Sequence, residues 1–142
     1  MDGSTNQTNQ IFSLQCSDAE PAATVGTRFE LDQALHQAEL HCSPQRPIIV
    51  SLYAHGHRVG IGLGQQDSFV SFQRFEPTPG PILITVGDWP DDHGAVLFFL
   101  GWRQIEIPRR HLLPMTRARE ILQEFFETGV RPATVEWESL GI

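Results

Sequence analysis

Apolar side chains recur along this chain with two periods, and the switches between them divide it into elements. Leu31, Ala34, Leu35, Ala38 and Cys42 stand three or four residues apart and form one helical stripe. Thr27 with Glu30 three residues on is a capping box for its first turn. Ser43-Pro44 ends it, because the residue before a proline avoids helical torsion angles. A second stripe, Ala118, Ile121, Leu122, Phe125 and Phe126, begins just after Pro114 with Thr116 as its cap. Gly129 suits the left-handed stop of that helix, and Pro132 prevents its continuation.

Between the helices the period falls to two. Ile48–Ala54 puts Ile48, Val50 and Leu52 on one face. After a turn at Ala54-His55-Gly56-His57, Arg58–Gly64 puts Val59, Ile61 and Leu63 on one face and bare glycine, Gly60, Gly62 and Gly64, on the other. That glycine face predicts an aromatic ring or a helix packed closely over it. Ser68–Phe75 and Ile82–Val86 read as further strands, and Ala95–Leu100 with Arg103–Ile107 as a hairpin around Gly101-Trp102. Ile11–Cys16 and Pro132–Leu140 supply a first and a last strand, and Ser17–Gly26 reads as a loop. Consecutive strands joined this way favour an antiparallel meander. The expected class is α+β, a largely antiparallel sheet of about six to eight strands with two helices packed on it.

Composition narrows the function. The chain has 142 residues and a net charge of −7, and all ten of its basic residues are arginine. Such a balance argues against nucleic acid and against an anionic membrane surface, both of which need surplus cations, and it favours a basic partner. The polar start, Met1–Gln10, predicts a disordered tail before one domain at residues 11–142, and it resembles no secretory signal. The longest apolar run, Ala95–Leu100, is strand-sized, far from a membrane span. Cys16 and Cys42 are therefore expected to stay reduced in a cytoplasm. The acidic excess is uneven: eleven acids face four arginines up to Leu100, and six face six beyond it.

Three clusters offer chemistry. His55 and His57 flank a turn glycine, and with His93 from another loop they could ligate a transition metal in a small-ligand enzyme; the alternative is a solvated turn. Gly60, Gly62 and Gly64 lie inside a strand with no helix after them, which does not fit a phosphate loop. Asp88-Trp89-Pro90-Asp91-Asp92-His93 matches no calcium loop and reads as a charged turn or, through Trp89, a partner contact. No G-x-S-x-G elbow exists, and no cofactor is implied.

The ordered series from Gly94 to Glu138 adds a resemblance. An apolar strand, Trp102, Ile105-Glu106-Ile107-Pro108-Arg109-Arg110, then Leu113-Pro114, leads into the second helix. Glu124-Phe125-Phe126-Glu127-Thr128-Gly129, Arg131-Pro132 and Val135-Glu136-Trp137 follow. Upstream, the first helix, the glycine-bearing strand and Val86-Gly87-Asp88 agree. This resembles the first numbered immunity-protein family of bacterial polymorphic toxin systems, over about residues 11 to 140. The resemblance implies a non-catalytic α+β protein that binds and blocks a cognate toxin, commonly a deaminase. A deaminase acting on nucleic acid needs a cationic groove, which an acidic protein could fill. The candidate toxin-contacting residues are Asp88, Trp89, Asp91 and Asp92, with Trp102, Glu106, Glu136 and Glu138.

Overall fold

The computed structural model describes residues 12–16, 23–54, 56–90 and 93–140. Two helices, α1 (Arg28–Glu39) and α2 (Met115–Thr128), pack against a curled sheet. In chain order the strands before α2 are β1 (Phe12–Cys16), β2 (Ala23–Val25), β3 (Ile48–Ala54), β4 (His57–Leu63), β5 (Asp67–Ser68), β6 (Val70–Arg74), β7 (Leu83–Thr85), β8 (Ala95–Leu100), β9 (Arg103–Pro108) and β10 (Leu113–Pro114). β11 (Trp137–Ser139) follows it. Seven strands run side by side as β11-β7-β6-β4-β3-β1-β2, every neighbouring pair antiparallel. The class is α+β, as the periodicities predict. The expected tail at residues 1–10 lies outside the described residues.

The period-two pattern decides what lies on each side of this sheet. Val50, Leu52, Val59, Ile61, Leu63, Val70 and Phe72 point to the helices and are buried there. They meet Leu31, Leu35 and Ala38 of α1 and the whole predicted stripe of α2. The helix side is also stitched by polar contacts. Arg28 reaches Glu127 and Gln123, Gln123 reaches Asp32, and Arg119 meets Glu39 at 2.5 Å.

The other side departs from a simple meander. β8 and β9 leave the sheet as a hairpin, attached to β3 by one parallel bridge, Ile48 to Phe99, and fold across the face turned away from the helices. There Phe98, Ile107 and Leu112 bury against Ile49, Phe69 and Ile84. The glycines permit the approach. A Cβ at Gly62 would stand 2.5 Å from Cε2 of Phe98 and 3.1 Å from Phe69, so the predicted aromatic cover is Phe98. Gly87 serves the same end, since a Cβ there would overlap the carbonyl oxygen of Leu112, whose segment carries the chain out of the hairpin.

Several boundaries correct the sequence-based expectation. Residues 23–25, expected in a loop, pair with β1 as β2. The expected strand Ser68–Phe75 is broken at Phe69. The Ser68 hydroxyl donates to the Gly62 carbonyl and accepts from its amide, taking a backbone partner's place, and β5 turns aside to pair with β10. Thr116 does not cap α2: Pro114 holds that position, and the first helical amide, of Met115, donates to the Gln66 carbonyl. The last strand is shorter than expected. The indole N–H of Trp137 folds back to the carbonyl of Pro132, and Arg117 holds Thr134, so the approach to β11 follows α2. At α1 the capping box forms with one shift: Thr27 accepts from the Glu30 amide, but the Glu30 carboxylate reaches the amide of Gly26.

Candidate functional site

The β8–β9 hairpin is a built projection. Its two-residue turn, Gly101-Trp102, has Gly101 at φ 65°, a left-handed geometry that glycine adopts without strain. Arg46 braces the tip: its guanidinium donates to the Gly101 carbonyl at 3.1 Å and lies 4.2 Å from the centre of the Phe99 ring. The amide of Phe99 donates to Pro47, tying the hairpin root to the sheet. Opposed residues share a face, so Val96 with Ile107 and Phe98 with Ile105 point inward, while Leu97 with Glu106 point outward. Trp102 is 79% exposed and Leu97 46%. β9 pairs with β8 alone, so its outer edge has no strand beside it among the described residues.

A second group gathers at the hairpin base. Past β7, Val86 donates to the Glu136 carbonyl and Gly87 to the Arg110 carbonyl. These two bonds bring the loop from Asp88, the turn Arg109–His111 and the last strand together. Trp89 is 39% exposed, with the Arg109 guanidinium 5.4 Å from its ring centre and the His93 ring 5.7 Å away. Its contacts run to this turn, and it is Phe98 that covers Gly62. Arg110 grips Glu138 through both guanidinium nitrogens, and these hydrogen bonds hold the Glu138 carboxyl below the ordinary carboxylate range. Behind them Thr85 and the buried His111 are cross-linked: the Thr85 hydroxyl donates to the His111 carbonyl, and His111 Nδ1 lies 3.0 Å from the Thr85 carbonyl.

The structure thus brings Asp88, Trp89, Glu136 and Glu138 to the hairpin base. Glu106 lies along β9, and Trp102 stands at the far tip. From Pro108 to Arg103 the strand spans about 17 Å, at about 3.3 Å per residue. Asp88, Glu106 and Glu136 are exposed, whereas Glu138 is engaged by Arg110. Asp91 and Asp92 lie outside the described residues. The first helix contributes no free row of carboxylates: Asp32 and Glu39 are taken up by the α2 contacts.

The histidines divide. His57 heads β4 opposite Arg74, whereas the loop that holds His93 leaves the other end of the sheet after β7. His57 is not the solvated turn residue of the simplest reading: its ring packs 4.9 Å from that of Phe72 and 6.3 Å from that of Phe125. His55 lies outside the described residues. Among the described residues no three His, Cys, Asp or Glu side chains converge as a metal site, and no helix is long and apolar enough to cross a membrane.

Sequence reasoning missed Leu97, Arg46 and Arg110. Only Leu97 left a signal. Ala95–Leu100 is apolar at every position while its partner Arg103–Pro108 alternates, so one row of the first strand had to face solvent. Arg46 and Arg110 act on partners 55 and 28 residues away, which no local pattern encodes.

A hairpin packed across a sheet, with an exposed tryptophan at its braced tip and a charged, aromatic base, has the anatomy of a protein-binding module. The chain belongs to the immunity protein Imm1 family, whose model matches residues 19–139, so it is an immunity protein with a cognate toxin as its implied partner. No curated protein matches it.

Proposed function

We propose that this protein neutralises its toxin by binding it one to one and covering its working surface, with the β8–β9 hairpin as the principal contact. The observation that carries this reading is Trp102. A tryptophan 79% exposed on a tip braced by Arg46 gains most when a partner covers it, and little ordering entropy is lost because the tip is already held. Leu97 and Glu106 extend the contact along the hairpin. Asp88, Trp89 and Glu136 flank it at the base, and Asp91 and Asp92, which follow Trp89 in the sequence, are proposed to join them in contacting the toxin. These carboxylates suit a basic toxin, and the resemblance drawn from the sequence assigns that toxin to the deaminases, whose nucleic-acid groove is cationic. The action takes place in the cytoplasm and needs no catalysis, cofactor or metal. A metal enzyme built on His55, His57 and His93 is disfavoured because His57 and His93 belong to opposite ends of the sheet.

Titrating the toxin, taken as the product of the neighbouring gene, tests the reading. Its activity should fall to zero near one equivalent; loss at a small fraction of an equivalent would mean catalysis. Trp102→Ala should leave the melting temperature unchanged and speed dissociation by about 2 kcal/mol or more, the loss expected of a hot spot. Unchanged dissociation would remove the hairpin tip from the interface.

A further inference from the structure

A groove of about 480 Å³ lies between the β6–β7 connection and the turn after α2, at the end of the sheet away from Trp89. Phe72, Pro81, Leu83 and Val130 form its apolar wall, and Val130 is 64% exposed there. The polar side chains that line it are His57, Arg74 and Arg131. Neither arginine has a carboxylate within ion-pair distance among the described residues, although the chain as a whole carries seventeen acids. Arg131 lies 5.6 Å from the ring centre of Trp137, a stack that leaves its N–H groups free to donate.

His57 completes the set. Its Nδ1 is buried with no hydrogen-bond partner, and the ring rests on Phe72. Because Nδ1 is enclosed and without a partner, Nε2 is the nitrogen through which His57 can offer an N–H to a ligand. The three polar side chains of the groove can therefore all donate to one. The Gly80 carbonyl beside them is engaged, accepting from Gln73.

We propose that this groove binds a phosphate monoester of a small organic molecule. The phosphate would lie between the guanidiniums of Arg74 and Arg131 and accept from His57 Nε2–H, with the apolar body of the ester against Phe72, Leu83 and Val130. Two planar guanidiniums match the charge and the paired oxygens of a phosphate dianion. The volume is that of a small-ligand site and exceeds what bare phosphate needs. This site is separate from toxin binding and does not rest on it.

Amide chemical shifts of the isotope-labelled protein, followed during titration with phenyl phosphate, inorganic phosphate and phenol, test the assignment. Phenyl phosphate should give saturable shifts at Gly80, Gly129 and Val130, and should bind more tightly than inorganic phosphate and far more tightly than phenol. Arg74→Gln combined with Arg131→Gln should weaken it at least about tenfold with the melting temperature kept. Arg74→Glu alone, which leaves the Trp137 stack intact, should abolish it. Absence of saturable shifts at millimolar phenyl phosphate, or equal binding by these variants, would overturn the proposal. Phenol binding as tightly as its phosphate would reduce the groove to an apolar cleft and overturn it too. Equal affinity for inorganic phosphate would overturn the ester assignment.

Discussion

On β4 alternate residues face two different neighbours. Val59, Ile61 and Leu63 meet two helices, while Gly62 meets Phe98 of the hairpin and Gly60 meets Ser71 of the next strand. The helix side is filled by large side chains and bound at its rim by Arg28–Glu127 and Arg119–Glu39. The hairpin side is joined to the sheet by one strand bridge, by Arg46 at the turn, and by a smaller apolar cluster in which Phe98 lies on a glycine. Yet the hairpin exposes Leu97 and, at its tip, Trp102, the most exposed large apolar side chain among the described residues. One side is built to hold the sheet and the other to present a surface, and a shared central strand lets the first stiffen the second.

That contrast can be broken most forcefully from the helix side. Phe125 is fully buried, edge-on to Phe72 at 5.1 Å. Phe125→Ala should lower unfolding free energy by about 3–5 kcal/mol, read by denaturant titration, with toxin protection failing through unfolding. A variant that melts like the parent would show that α2 does not anchor the fold.

The hairpin side should respond differently to an added methyl. Gly62→Ala forces a Cβ against Phe98, which is fully buried and has no room to swing away. The expected loss is about 1–3 kcal/mol, and it should fall on the hairpin. Hydrogen exchange should speed in β8 and β9 more than in α2. Equal acceleration on both sides would mean that the two faces unfold as one unit.

The smallest effect concerns the hairpin base and its dependence on pH. Glu138 has its pKa lowered chiefly by hydrogen bonds from Arg110, so its contribution is full above the ordinary carboxylate value of about 4.5 and is lost as pH falls through the lowered one. Glu138→Gln should therefore cost stability at neutral pH, by less than either change above because about a third of each side chain of the pair is exposed, and should converge with the parent in acid. A difference independent of pH would mean that the carboxylate charge is not what Arg110 holds.

Much of the helix side was legible in the sequence because it rests on local periodicity. The five buried residues of α2 are the predicted stripe, and Gly129 adopts the left-handed stop at φ 73°. The alternation in β3 and β4 likewise placed their helix-facing residues. Of the candidate site, Trp102 could be read as an exposed turn residue, and Asp88 with Trp89 as a loop.

The sequence by itself determined the α+β class, both helices, the β8–β9 hairpin and the need for something flat over Gly62, because backbone propensity and side-chain period are properties of adjacent residues. Only the tertiary structure decided that the covering ring is Phe98, that the hairpin crosses the sheet instead of extending it, and that Glu138 belongs to Arg110. It also decided that His57 and His93 stand apart while His57 joins Arg74 and Arg131. Each of those outcomes is a meeting of residues far apart in the chain. Such meetings are fixed by which surfaces can close without overlap once the elements pack, and no local pattern carries that information.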